Sequence, residues 1–530
     1  MIAEASLLRT RLGCTAAAAL LCLGIGLRLA NLSSVTGRSP DETNYTRLAN
    51  TLLQDGTAGL RSMAAEYQRD PAFRLYPPPT RAGYLWMLAA TMRLAGRNDE
   101  SVGAFLSCAA SIGSLLLVAL IGIRFFPPLA TLFALLFLAV SPAELELARR
   151  AWADACVGFL GLSLVYVAGE ITRDSQRRIW HWLFVLLGSL GMLVKEFGLV
   201  VFGLCTVWVL WVMLIQRRDF RGGLALMTGV LVGTGATVVW LANSIGGFSV
   251  LVQTLINWRA AHATNAYALE YQSGPGYLLL WAFQIISPVP AFFFVIGLAV
   301  LLLSRRRLGF IRLPAGAANW QVIGWIALFA LGYLALPMFL QNWLNLRYVS
   351  VLFGPFYLLA GLGFWYAASV CWNHLGIFHR RVFAAVIILG VGIGAASDYR
   401  TFDRMFVRNG VGDLSVRLVL DRAGMTAAEK QVKRAPTAEN YLNLCRLYDR
   451  NWRYQDSVAA CQKALQLSPD YAEAYNRLAT AYVALEMWDE AIQAAQQALQ
   501  LNPDLPLARD NLARSLNAKR LQDSATNPQQ

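Results

Sequence analysis

Two adjacent carboxylates, Asp41 and Glu42, stand in the stretch Arg38-Ser39-Pro40-Asp41-Glu42-Thr43-Asn44-Tyr45, just past the first apolar segment of the chain. An acid at that place lies where a membrane helix meets water, and a carboxylate there can take a proton from a hydroxyl. Helix chemistry accounts for part of the pair. Ser39 as N-cap, Pro40 at the first helical position and Glu42 at the third make a capping box, and both acids suit the positive end of the helix dipole. Capping explains Glu42, whereas Asp41 is left over because the dipole is already served.

Other charges stand at unusual places. Ser141-Pro142 leads to Glu144, Glu146, Arg149, Arg150 and Asp154; Lys195-Glu196 interrupts two apolar runs; Arg347-Tyr348 opens another. Charges at helix ends commonly snorkel to the interface or pair with one another. These residues have a further property in common, since the topology derived below puts them all on the side of Asp41.

The elements that must position them are membrane helices. With 530 residues, 56% of them hydrophobic and 15% charged, and a mean hydropathy of +0.45, the chain is far more apolar than a soluble protein, which carries about 25% charged residues. The net charge of +14 lies mostly in short loops between apolar runs, where it sets topology, and that distribution excludes a nucleic-acid partner. Eight cysteines form no C-x-x-C pair and no spacing with histidine that suits zinc. No metal site or cofactor is read from them, and a need for a divalent metal stays open.

About eleven spans are expected, near 12–30, 102–123, 128–143, 151–170, 180–194, 197–215, 223–243, 282–303, 319–340, 348–371 and 382–397. The first, behind Arg9 and Arg11, reads as an uncleaved signal-anchor. With the N-terminus in the cytoplasm, the cytoplasmic segments hold 15 arginines and the opposite short loops 5 basic residues, so the C-terminal region falls outside the cytoplasm. Both long loops fall there too. The first, 31–101, carries the Asp41 helix, which runs through Leu48, Leu52 and Leu53 to a stop at Asp55-Gly56; it then passes Tyr76-Pro77-Pro78-Pro79 into a segment, Gly83 to Leu94, expected to lie in the interface because 14 residues are too few to cross. The second, about 244–281, holds Trp258, Arg259, His262, Tyr267 and Tyr271.

From Ala438 the chain repeats with a period of 34. Tyr441, Leu444, Cys445, Tyr448, Ser457, Cys461, Ala464 and Pro469 are answered by Tyr475, Leu478, Ala479, Tyr482, Ala491, Ala495, Ala498 and Pro503. Large residues on two helices, small ones where they meet and a closing Pro resemble the tetratricopeptide repeat. Leu512-Ala513 and Leu516 suit a capping helix, and Leu521 to Gln530 reads as a disordered tail. Cys445 and Cys461 fit either a disulfide or two buried thiols. The repeats imply docking on the membrane domain or a protein partner.

The pattern in residues 10–400 resembles the GT-C superfamily of membrane glycosyltransferases, in its protein O-mannosyltransferase and aminoarabinose transferase branch. The resemblance rests on the D-E pair with Tyr45, Ala49, Leu53 and Gly56; Pro77-Pro78 with Tyr84 and Gly96; Ser141-Pro142 before Ala148-Arg149 and Asp154; Gly191 and Leu193 before Lys195; and Arg347-Tyr348 before Pro355. Tyr76 stands where aminoarabinose transferases often carry a Lys before the Pro pair.

The resemblance implies an all-α polytopic bundle in 1–400, a linker in 401–435, repeats with their cap in 436–520 and a tail in 521–530. It implies transfer of a sugar from a polyprenyl-phosphate donor to a hydroxyl on a protein, lipid or glycan acceptor, with inversion, in a multi-pass protein of a bacterial inner membrane with its repeats on the periplasmic side. Asp41 would be the base and Glu42 its capping neighbour; Arg149, Lys195 and Arg347 would bind the donor phosphate. Asp154 would pair with Arg149 or orient it, while Tyr45, Arg259, His262 and Tyr348 would touch donor or acceptor. Two other readings are a transporter or flippase and a membrane scaffold that recruits partners through its repeats. Transporters tend to show inverted repeats and helices broken at the midplane, which this sequence lacks.

Overall fold

The computed structural model describes residues 11–30, 32, 39–264, 288–305, 319–339, 346–408, 425, 427–450 and 453–526. Every regular element among them is a helix.

The apolar runs become α1 (Arg11–Leu29), α5 (Glu100–Phe125), α6 (Pro128–Ala139), α8 (Ala153–Arg173), α9 (Arg178–Val194), α10 (Phe197–Trp211), α11 (Phe220–Ile245), α13 (Pro288–Arg305), α14 (Trp320–Phe339), α15 (Phe353–His374) and α16 (Ile377–Phe402). Each expected apolar segment is thus a helix. Among the described residues six helices are long and apolar enough to cross a bilayer, and five shorter ones are apolar. Large side chains on their outer faces, among them Ile123, Trp182, Val207, Leu231 and Ile388, are exposed, as lipid-facing residues are. The core between them is aromatic: Phe133, Phe293 and Phe364 pack together, and Trp208 stacks on Trp325 at 5.1 Å.

Between α1 and α5 lie α2 (Pro40–Asp55), α3 (Thr57–Arg69), a 3-10 turn (Pro71–Leu75) and α4 (Ala82–Ala95). Gly56, at φ +58°, ends α2 in a conformation that favours glycine. Helix α3 was not expected. Its Leu60, Met63, Ala64 and Tyr67 follow the i, i+3, i+4, i+7 rule and are buried, but the stop at Gly56 masks the restart.

Helix α4 turns its apolar face inward: Tyr84, Leu85, Leu88 and Met92 are fully buried in a core shared with α2 and α3, so these side chains pack against protein, while Trp86 is half-buried. In the second long loop, Phe248–Thr264 forms α12; Tyr267 and Tyr271 lie outside the described residues.

The C-terminal repeats are α17 (Ala438–Arg450) with α18 (Tyr454–Leu467), α19 (Ala472–Ala484) with α20 (Trp488–Leu501), and α21 (Pro506–Thr526). Ala479, Ala491, Ala495 and Ala498 are wholly buried where helices meet, and Cys445 is bonded to Cys461. The expected tail is shorter than read: α21 continues to Thr526, because no Pro or Gly interrupts it before Pro528. Residues 527–530 lie outside the described residues.

Candidate active site

The start of α2 is fixed first. The Ser39 N–H donates to Glu42 Oε2 at 2.7 Å and Ser39 Oγ accepts from the Glu42 N–H at 3.4 Å, the reciprocal capping box expected from sequence. The structure adds what the sequence hid. Glu42 is fully buried, its Oε1 accepts from the Ala151 N–H at 2.8 Å and its Oε2 from Arg150 at 3.3 Å. Arg150 in turn donates to Glu146 at 2.6 Å, and the Trp152 indole N–H donates to Ser39 Oγ at 2.9 Å. Glu42 therefore rivets α2 to the connection between α7 (Pro142–Leu147) and α8.

Asp41 is left facing the open side. Its Oδ2 lies 3.0 Å from Arg347 Nη1, with the two side chains 23% and 15% exposed, so the pair is reachable from solvent. Arg347 is the second residue of the 3-10 segment Leu346–Leu352. Its guanidinium lies 5.0 Å from the Trp152 ring and 5.4 Å from the Tyr348 ring, an aromatic seat that holds a planar cation.

Lys195 stands one step behind. Its Nζ is 2.5 Å from Asp154 Oδ1 and 4.6 Å from the Tyr348 ring centre. Tyr348 stacks on Phe197 at 5.2 Å. Ser350 donates to the Asp154 carbonyl at 3.0 Å, which fixes the register of the Arg347 segment against α8. The turn that presents Lys195 needs glycine: a Cβ on Gly198 would sit 2.1 Å from the Gly191 carbonyl oxygen. Burial pulls the Lys195 ammonium down to about 8, against an opposing pull from Asp154, and Arg81 and Arg347 add to the lowering.

A further layer was missed in the sequence. Arg81 makes a two-pronged pair with Glu196 at 3.0 and 2.9 Å and donates to the Tyr45 hydroxyl at 2.5 Å. Tyr45 is buried edge-on to Tyr84 at 4.7 Å. Burial disfavours the charge on both members of the Arg81–Glu196 pair, yet each holds the other charged: Arg81 is raised and Glu196 lowered. The available signals were the break at Lys195-Glu196 and an Arg two residues after the Pro77–Pro79 run.

Of the residues singled out from sequence, the structure gathers Asp41, Arg347, Tyr348, Lys195 and Asp154, with Tyr45 and Glu42 supporting them. Asp154 pairs with Lys195, not with Arg149, because α9 ends beside the first turn of α8. Arg149 is elsewhere: it donates to the carbonyls of Leu145 and Leu27 at 2.6 Å and of Ala30 at 2.9 Å, and lies 4.6 Å from the Phe402 ring. These bonds tie α1 to the fold and use donors a phosphate would need. Arg259 is exposed on α12; the side chain of His262 lies outside the described ones. Among the described residues no three His, Cys, Asp or Glu are grouped as a metal site requires. A groove of about 470 Å³ between the ends of α1, α4 and α5, lined by Leu29, Ala95, Val102 and Phe105 with Arg97 and Ser101, contains none of the gathered residues.

Residues 472–505 match the tetratricopeptide repeat family. No curated protein sequence matches the chain. Among solved structures the chain is similar to ArnT from Cupriavidus metallidurans bound to undecaprenyl phosphate, at 15% identity and a TM-score of 0.47 over 97% of this chain and 88% of that one. It is similar to the apo oligosaccharyltransferase of Archaeoglobus fulgidus at 14% identity and a TM-score of 0.49, over 95% and 73%. A third likeness is to AglB of Archaeoglobus fulgidus in complex with an inhibitory peptide and a dolichol-phosphate, at 15% identity and a TM-score of 0.45. There the match spans 75% of this chain and only 56% of the other.

Proposed function

We propose that this chain is a membrane glycosyltransferase that moves a sugar from a polyprenyl-phosphate donor to an acceptor hydroxyl, with Asp41 as base. The observation that carries the reading is the contact between Asp41 and Arg347, an acid and a cation brought together at a partly open site from distant parts of the chain.

The geometry fits the chemistry of such a transfer. A sugar on a polyprenyl phosphate has a good leaving group, so the reaction needs a base for the acceptor and cations for the departing phosphate, and no strong acid. Asp41 and Arg347 form an ion pair with each other. A donor phosphate competes for Arg347, which frees the Asp41 carboxylate to take the acceptor proton as the hydroxyl oxygen attacks the anomeric carbon opposite the phosphate, with inversion. Lys195 supplies a second positive charge, and Asp154 and Tyr348 hold it in place. Glu42 serves as the rivet of the Asp41 helix, and Arg149 as an anchor of α1, not as a phosphate ligand. The apolar spans hold the lipid chain in this reading. The domains expected from sequence and the periplasmic side belong to the same reading.

The test is direct. Purified protein in liposomes, given polyprenyl-phosphate sugars and a hydroxyl acceptor, should release free polyprenyl phosphate in step with glycosylated product. Donors that stay intact across hexose and pentose headgroups would refute the reading.

A further inference from the structure

The capping helix of the repeats touches the loop that carries the site. Asn517, on α21, donates from Nδ2 to Asp70 Oδ2 at 2.7 Å, and the Arg514 guanidinium lies 5.2 Å from the Tyr76 ring centre. Asp70 and Tyr76 bracket the 3-10 turn Pro71–Leu75. That turn is seated on α2: Phe73 lies under the Arg47 guanidinium at 4.7 Å, and Phe73, Pro77 and Pro79 face Asn44, Arg47 and Leu48 across a crevice. Tyr76 lies within electrostatic reach of both Arg514 and Asp41. A continuous set of contacts therefore runs from the repeats through residues 70–79 to the helix that begins with Asp41.

We propose that the repeat domain braces the catalytic site, with Arg514 on Tyr76 and Asn517 on Asp70 holding residues 70–79 against α2 so that Asp41 keeps its place opposite Arg347. Asn517 and Arg514 are positioning residues, and the repeats belong to the machinery of transfer as well as to any recognition of partners. The brace concerns only contacts within this chain; its consequence for catalysis rests on the transferase reading above.

The experiment compares the full-length protein with the Arg514→Ala/Asn517→Ala variant, and adds the exchange of partners Asp70→Asn/Asn517→Asp, which restores a hydrogen bond in the reverse sense. Amide hydrogen exchange in detergent or nanodiscs reads the brace without substrate. In the double alanine variant, exchange in 40–50 and 70–79 should quicken on the order of 10-fold or more, while the repeat helices and α8 keep their protection. In the transfer assay kcat should fall on the order of 10-fold or more with KM for the lipid donor unchanged, since a misplacement of about 1 Å at a reacting group costs that much. The swapped pair should recover both. Unchanged exchange at 70–79 overturns the proposal, and so does quickened exchange with an unchanged kcat. A wild-type protein that transfers nothing, with exchange coupled as described, sinks the transferase reading and leaves the brace standing.

Discussion

Asp41 and Arg347 meet at 3.0 Å although one begins the first long loop and the other opens a late helix. A carboxylate and a guanidinium that touch share one aqueous compartment, so the bilayer does not separate them, and the arginine's aromatic seat on Trp152 and Tyr348 keeps it aimed at the acid. Arg347→Ala should lower sugar transfer about 10²-fold, the loss typical when one preorganised charge donor is removed. Arg347→Lys should recover little, because a compact ammonium neither stacks in that seat nor bonds in two places. Steady-state transfer with a lipid-linked donor measures both.

Lys195 gives the reaction a pH dependence. An unperturbed lysine titrates at 10.5, and burial brings this one to about 8. Below that value the ammonium is present; as pH rises through it the proton leaves and the second cation is lost. Transfer should therefore decline above pH 8. Lys195→Arg, whose charge persists through this range, should carry the plateau to higher pH, and a profile flat to pH 10 in the wild type would show that Lys195 takes no part.

Glu42 and Asp41 are neighbours in sequence with opposite roles. Glu42→Ala removes a buried partner of Arg150 and leaves the Ser39 and Ala151 N–H groups without their acceptor, which should destabilise the fold by about 3 kcal/mol. Asp41→Asn, which keeps the side chain's shape and part of its capping ability at a position 23% exposed, should cost less than Glu42→Ala. Chemical denaturation or thermal melting in detergent compares the two.

That contrast also marks how far the sequence could be read. The helix start at Ser39, the pairing of acids and cations on one side and the 34-residue repeat follow from local rules of capping, topology and periodicity, and the apolar segments appear where those rules put them. Arg81 and Trp152 were not legible, nor were the partners of Arg150 and Glu196, because what makes them matter is contact across the fold: Glu42 reaches Ala151 over a separation of 109 residues, and Arg81 reaches Glu196 over 115. The packing of helix α4 was hidden for the same reason. Its length forbids a full span, but only the placement of α2 and α3 around it shows that its apolar face is buried.

The bond between Cys445 and Cys461 predicts that peptides containing them stay linked in a digest made without reduction. Reducing it, or Cys461→Ser, should lower the stability of the repeats by about 3 kcal/mol, the value for a loop of about 15 residues. Two thiols that alkylate in the folded, unreduced protein would contradict the pairing.

The most direct measurement is the rate of sugar transfer by Asp41→Asn, in full-length protein reconstituted with a polyprenyl-phosphate sugar and its hydroxyl acceptor. The substitution keeps the shape and part of the capping ability while removing the base. The account predicts a fall of at least about 10²-fold in kcat with the fold intact and donor binding retained. Transfer at the wild-type rate would contradict it and remove Asp41 from the mechanism.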